Sequence, residues 1–455
     1  LEWSDLIALR VDGQRLTRGR SDFERDQDRI IFSSAFRRLN DKTQVLPIPQ
    51  HYFVHNRLTH SIETACVGRS LGTISGECCI ASLDRNWTES DSKALGCLVQ
   101  AACLAHDIGN PPFGHSGEDA ISNFFLRHPD VLSGLSCAEK RDFTSFEGNA
   151  QGLRIIASIA PGLKLTENTI AAFSKYPRES IVAGGYKNAD DQQRRDQKKY
   201  GAFQSEKAIL EGALTGFGTR RLSESGMAFA RYPFAYLVEA ADDICYLIID
   251  LEDAVRLDII QLAEVEAELE AIIAANPQRD AESSELVQLP ESGEVDRMAH
   301  FRARAINSLI FQCVDVFSKH AAEILDGRYT SNLISEIPSA AALESIRELS
   351  RQKLYCYKPV LEIQAAGFEI ISGILEMLVD AVLYRHDSRN LQLLELFPDL
   401  RFPRPHYSPG ATYSGGEAAV YETLRRITDY VSGMTDSFAV STFRRVRGME
   451  LPKMY

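Results

Sequence analysis

Residues 105–119 read AHDIGNPPFGHSGED. They follow an apolar run in which Leu95, Leu98, Val99, Ala102 and Ala105 recur at helical spacing. Gly109, Asn110 and the Pro111-Pro112 pair must end that helix, because proline has no amide hydrogen to continue it. His106 and Asp107 are therefore neighbours at a helix C-terminus. Adjacent helical residues point about 100° apart, so this imidazole and carboxylate cannot both face a core but can converge on an ion between them. Taken alone, such a dipeptide is more often a histidine gaining from the helix dipole. What decides between the two is whether the rest of the chain offers further ligands.

Working outward, His60 opens a second helical segment, HNRLTHSIETACVGRSL (55–71), and Asp242 sits inside RYPFAYLVEAADDICYLIIDLEDA (231–254). In the latter, Phe234, Leu237, Val238, Ala241 and Cys245 form one apolar stripe. An aspartate in so apolar a helix requires a partner, since burying an unpaired carboxylate is expensive. A cation supplies one. Two imidazoles and two carboxylates suit Mn, Fe, Zn or Co better than an all-oxygen calcium site. Asp242, Tyr246 and Asp250 fall at i, i+4 and i+8, a stripe able to line a pocket, while Asp243 points elsewhere. After the two prolines, His115 and Glu118 stand three residues apart, where a carboxylate can hold an imidazole by one ring nitrogen as a general acid/base pair.

The chain has 455 residues, 44% of them apolar and 25% charged. These are ordinary globular proportions, with no window near the ~18 apolar residues of a membrane span. The first twenty residues carry acids and arginines and lack a signal peptide's apolar core. The expectation is a cytoplasmic protein with no membrane association. A formal charge of −13 opposes bulk attraction to nucleic acid. Two basic tracts could still meet phosphates: Arg15, Arg18, Arg20, Arg25, Arg29, Arg37 and Arg38, and Arg194, Arg195, Lys198 and Lys199. The nine cysteines include no CxxC pair and read mostly as reduced, small core residues.

Helical periodicity dominates, so the fold class is mostly α. The minor exception is Gln44 to Val54, where Pro47 and Pro49 suggest two short extended pieces or a small ribbon. Two polar stretches, Tyr186 to Lys199 and Asn276 to Asp296, read as surface insertions, and HYSPGATYSGG (406–416) as a loop. The second stretch divides the chain into a catalytic core with an N-terminal arm (1–275), a linker (276–296) and a C-terminal helical region packing on the core (297–455).

The order His60, His106-Asp107, Asp242 is the H…HD…D pattern of the HD superfamily. The chain resembles bacterial deoxyguanosine triphosphate triphosphohydrolases (dGTPases) over nearly its whole length. The likeness is carried by FERDQDRIIFSSAFRRLNDKTQV (23–45), HNRLTHSIE (55–63), HDIGNPPFGHSGE (106–118), FEGNAQGLR (146–154), FSKYP (173–177), YLVEAADDICY (236–246) and DYVSGMTD (429–436). The resemblance implies an HD-domain helical core with additional C-terminal helices. It also implies one divalent metal (Mn, Mg, Fe, Zn or Co, with Mn or Mg expected in activity) on His60, His106, Asp107 and Asp242.

Further roles follow from the same likeness. His115 lies beside the scissile phosphate and Glu118 orients it. Gln44 and Asp250 bind the sugar 3′-hydroxyl, Tyr246 packs on the deoxyribose, Arg57 sits near the α-phosphate, and Asn149, Lys175, Tyr176 and Lys199 follow the triphosphate. The other histidines, His51, His55, His128, His300, His320, His386 and His406, are structural or exposed, with His55 near enough to His60 to support it. The implied reaction turns a deoxynucleoside triphosphate, dGTP first, into deoxynucleoside and tripolyphosphate. Implied partners are the dNTP substrate, single-stranded DNA or a dNTP at a regulatory site, and further copies of the chain in a homo-oligomer such as a hexamer. The competing readings are an HD phosphohydrolase acting on another nucleotide, and a nucleic-acid-binding or regulatory HD protein with weak activity.

Overall fold

Two capping boxes start the helices that carry the histidines. In α1 (Arg57–Ser75) the side chain of Asn56 accepts from the backbone N–H of Thr59, and in α2 (Glu89–Ala105) Thr88 does the same for Asp91. The computed structural model describes residues 2–8, 20–46, 54–160, 162–275, 293–383, 388–397 and 417–450. α1 and α2 pack closely because glycines face the contact: a Cβ on Gly96 would stand 2.2 Å from the Thr73 hydroxyl, and one on Gly72 2.9 Å from the Leu95 carbonyl. This approach brings the start of α1 beside the end of α2, where His60 and His106 lie.

α2 ends at Ala105, and His106 to Gly109 form a turn before α3 (His115–Arg127). The helix expected around Asp242 is α4 (Ala235–Arg256), most of whose residues are buried on every side. It passes between α1 and α5 (Glu294–Lys319). α6 (Ala340–Lys353), α7 (Lys358–Leu383), α8 (Glu417–Ser432) and α9 (Asp436–Val446) complete the C-terminal part. The fold is helical, and no sheet forms among the described residues. Strand pairing is limited to isolated bridges, one of which, Thr43 with Asn56, closes the base of the segment expected to be extended; 47–53 within it lie outside the described residues.

Two large apolar clusters and a small third one around Leu222 hold the described residues together. The larger joins α1, α2 and α4 to Phe301, Leu309, Phe317 and Leu343, so it crosses the polar stretch 276–296. The smaller joins Ile121, Phe125, Phe143 and Phe203 to Ile371, Leu375, Leu424 and Ile427. Polar segments depart from expectation in one place. The stretch 186–199 is not simply a surface insertion, since Asp191, Arg194, Asp196 and Gln197 are all buried. Arg194 is committed to Asp196 at 3.0 Å and to the carbonyls of Gly327 and Tyr329, which removes it from the basic tract available to phosphate. Cysteines also divide more evenly than expected: Cys79, Cys103, Cys245 and Cys313 are buried, while Cys66, Cys78, Cys137 and Cys356 are exposed. Arg15, Arg18, His51, His386, His406, the loop 406–416 and most of 276–296 lie outside the described residues. No described helix is long and apolar enough to cross a membrane.

Candidate active site

Where α1, the end of α2 and α4 meet, ligand atoms of His60, His106 and Asp242 lie within 4.8 Å of one another. Nε2 of His60 is 3.2 Å and Nε2 of His106 is 3.4 Å from Oδ1 of Asp242. His106 donates from Nδ1 to the Cys103 carbonyl at 2.6 Å, an oxygen in the last turn of α2 that also accepts the His106 backbone N–H. With its proton on Nδ1, the ring turns a lone pair on Nε2 inward, the tautomer a metal requires. Asp107 adjoins this group, its Oδ1 3.6 Å from His106 Nε2, but its other oxygen accepts from Arg57 at 2.6 Å.

Electrostatics mark the place as one that calls for positive charge. Burial works to raise both carboxyls, yet Asp107 is held at about 2 by the Arg57 guanidinium, and Asp242 well below the ordinary carboxylate range by the Lys175 ammonium and His106. Lys175 Nζ stands 2.7 Å from Asp242 Oδ2. Burial would lower His106, but Asp107 and Asp242 outweigh it and lift the ring to about 8. One carboxylate and two ring nitrogens within 4.8 Å of one another, with Asp107 beside them, fit a divalent ion of the nitrogen- and oxygen-binding kind.

These groups open onto a cavity of about 410 Å³. It also brings together Gln44, Asn149, Tyr176, Lys199, Tyr246, His115 and Glu118, residues drawn from places up to two hundred positions apart. Gln44 Oε1 is buried without a partner among the described residues, as a group awaiting a donor would be. Asp250 lies two turns further along α4 and is not among the described side chains lining the cavity; one of its carboxylate oxygens is buried and has no partner among the described residues. Burial, then the neighbouring Asp253, pushes it well above the carboxylate range.

Two local expectations meet different partners. No hydrogen bond joins His115 to Glu118 among the described residues. The Glu118 carboxylate accepts instead from the Gly148 N–H at 2.6 Å, tying α3 to the FEGNAQGLR segment, while His115 stays exposed at the cavity rim. His55 does not support His60. Its Nδ1 lies 2.8 Å from Asp253 and its Nε2 3.3 Å from Glu63, and these carboxylates, overcoming burial, raise it to about 10.

The cavity also holds residues that sequence reasoning missed. Tyr355, between α6 and α7, stacks on Tyr246 with ring centres 6.1 Å apart, and Gln364 on α7 lines the same wall. Nothing local in the sequence around either separates it from an ordinary helix-end tyrosine or surface glutamine. Asn110 was within reach, because it follows His106-Asp107 in the decisive stretch and its amide donates to Asp107.

Comparison with known proteins gives two family matches: the HD domain over residues 57–169 and the phosphohydrolase-associated domain over 335–445. The chain is 34% identical to a deoxyguanosinetriphosphate triphosphohydrolase-like protein of Synechocystis, covering 99% of this chain and 100% of the relative. It is 36% identical to one from Pseudomonas aeruginosa, over 95% of each. A deoxyguanosinetriphosphate triphosphohydrolase of Salmonella paratyphi A is 29% identical over 94% of each.

Proposed function

Because this chain belongs to the deoxyguanosinetriphosphate triphosphohydrolase family of HD-domain proteins, we propose that it hydrolyses deoxynucleoside triphosphates, dGTP foremost, to deoxynucleoside and tripolyphosphate. One observation carries the proposal: a single cavity sets the cluster of His60, His106 and Asp242 beside Arg57, Lys175 and Lys199, a metal seat next to the cations a triphosphate needs. His60, His106, Asp107 and Asp242 would hold the ion. Bound there, a divalent metal supplies a Lewis acid and brings the pKa of a coordinated water toward ~7.

The chain's own residues do the rest. Arg57 and Lys199 neutralise the phosphates and stabilise charge on the departing tripolyphosphate. Lys175, now the counter-charge of Asp242, sits on a flexible four-carbon stem that can turn to a phosphate oxygen. Asn149 and Tyr176 donate along the same chain of phosphates. His115, exposed at the rim, transfers a proton at the 5′-oxygen or at the attacking water, and Glu118 fixes the helix start that presents it. Gln44 and Asp250 hold the 3′-hydroxyl while Tyr246 covers the sugar face. Cytoplasmic residence, a catalytic part at 1–275 with a C-terminal part at 297–455, homo-oligomeric assembly and regulation by single-stranded DNA or a dNTP belong to the same proposal.

The test is product analysis of the purified protein with Mn or Mg and each of the four dNTPs. Deoxynucleoside and tripolyphosphate in equal amounts are expected, fastest from dGTP. Release of orthophosphate, pyrophosphate or a monophosphate would place the chain among HD hydrolases of another bond, and no turnover of any dNTP would leave a binding role.

A further inference from the structure

The stretch DYVSGMTD (429–436) carries part of the family likeness, yet none of its residues lines the cavity. Its contacts run behind the cavity wall. Asp429 accepts from Arg154 Nε and Nη2 and from Gln151, and the Ser432 carbonyl accepts from the buried Lys42 ammonium at 2.8 Å. Lys42 also donates to the Asn110 carbonyl at 2.5 Å. Asp436 does more. Its Oδ2 accepts from the backbone N–H of Thr43 at 2.8 Å and from the Thr43 hydroxyl at 2.6 Å, and its Oδ1 accepts from the N–H of Phe113 at 2.9 Å.

The two segments so joined are the ones that deliver function. Thr43 immediately precedes Gln44, and Phe113 stands two residues before His115. Phe113 and Gly114 have φ of 62° and 58°, and for phenylalanine that left-handed conformation is costly, so it persists only where neighbours impose it. The Phe113 ring is pressed on α7 at Gly367, where a Cβ would come 2.5 Å from Cγ of the ring. Its backbone is held from the other side by Asp436. The carboxylate belongs to the first turn of α9, whose exposed N–H groups favour a negative charge there.

We infer that Asp436 is a positioning residue for hydrolysis, a tie that fixes the segment bearing Gln44 relative to the loop bearing His115. The inference rests on the roles proposed above for those two residues. Asparagine is the telling substitute, because it keeps the shape but has one acceptor oxygen for donors that arrive on both sides, and its amide would confront an N–H.

The experiment compares wild type, Asp436→Asn, His115→Ala, the double variant and Asp429→Asn, all metal-loaded. It reads metal content, melting temperature and kcat and KM for dGTP and 2′,3′-dideoxy-GTP. Asp436→Asn should keep its metal, lose about 10- to 100-fold in kcat, as misplacement by an ångström does, and prefer dGTP over the dideoxy substrate less than wild type. Added to His115→Ala it should cost little more, since the rate it supports passes through His115. Asp429→Asn, loosening the contacts to Arg154 and Gln151, should melt earlier with kcat and the preference for dGTP unchanged. An Asp436→Asn loss that multiplies undiminished onto His115→Ala, with wild-type sugar preference, overturns the inference and makes the contact a matter of stability alone. If Asp436→Asn fails to fold, Thr43→Val removes just the hydroxyl's bond and should repeat the pattern at about 2- to 5-fold; an additive loss there overturns it equally. A wild type with no preference for dGTP over dideoxy-GTP defeats the Gln44 assignment by itself and leaves the His115 arm to decide.

Discussion

Asp242 and Asp250 are carboxylates on one stripe of one helix, two turns apart, and their surroundings treat them oppositely. Asp242 has Lys175 at 2.7 Å and two imidazoles within 3.4 Å, and is held far below the ordinary carboxylate range. Asp250 has an oxygen with no partner among the described residues and an acidic neighbour in Asp253, and is pushed well above it. Sequence periodicity gives both the same face; what differs is the set of helices that arrive opposite. The lesson is that a buried acid is defined by its counter-charge. On the roles proposed above, one end of this stripe would hold a cation and the other a neutral acid able to exchange hydrogen bonds with a hydroxyl.

That contrast can be broken most severely at the cation end. His106→Ala or Asp107→Ala should abolish both tight metal binding and turnover, read by metal analysis and product formation. Retention of stoichiometric metal with substantial activity would mean the ion sits elsewhere. Next in size, His115→Ala should keep metal and substrate binding and lose about 10²- to 10⁴-fold in rate, the range of a general acid/base. Normal turnover would return it to an exposed helix-start histidine.

At the other end, Asp250→Ala should reduce the preference for dGTP over dideoxy-GTP by about 10-fold, the size of one buried hydrogen bond to a polar group. Tyr246→Ala should instead relax the discrimination against GTP. Equal discrimination in wild type and both variants would show that this helix face does not meet the sugar.

A smaller effect compares the ends directly, through melting of metal-free protein. Asp242→Asn should lower the melting temperature at pH 7, because it strands Lys175. Asp250→Asn should raise it by about 1–3 °C, since the native carboxyl must fold protonated or unpaired. The Asp250 gain should vanish as pH falls below the ordinary carboxylate value near ~4, where the acid is protonated folded or unfolded. Shifts of the same sign in both variants would erase the contrast.

A further pH-dependent effect comes from the ion group of His55 with Asp253 and Glu63. Because Asp253 and Glu63 raise His55 to about 10, its contribution to stability is complete below the unfolded imidazole's ~6.5 and is lost as pH rises toward the folded value. Wild type should therefore lose more stability than His55→Gln between pH 6.5 and 10. Parallel pH–stability curves would remove His55 from the ion group.

The sequence made α2 and α4 legible because apolar residues at a 3.6 period leave no second reading of their buried faces. It also made His106 and Asp242 legible as candidates, one just past the end and one inside an apolar helix, while His60 joined them through the H…HD…D order. What stayed hidden was partnership across distance. Arg194 reads as a solvated cation until Gly327 and Tyr329 bring their carbonyls to it. Glu118 reads as the neighbour of His115 until Gly148 offers an N–H. Tyr355 gains meaning only when Tyr246, 109 positions earlier, lies 6.1 Å from it. In each case the local pattern fixed the element and a distant segment fixed the role.

The tie between Thr43 and Asp436 also sets a clock. The two residues are 393 positions apart, so at a synthesis rate of about 5–20 residues per second the second leaves the ribosome roughly 20 to 80 s after the first. Until then the nascent chain has its histidines and the larger apolar cluster but no carboxylate to join the segment bearing Gln44 to the loop bearing His115. On the roles proposed above, a polypeptide cut ahead of residue 436 would lack both the tie and Ala439 of the smaller apolar cluster, and would turn over at least as slowly as Asp436→Asn.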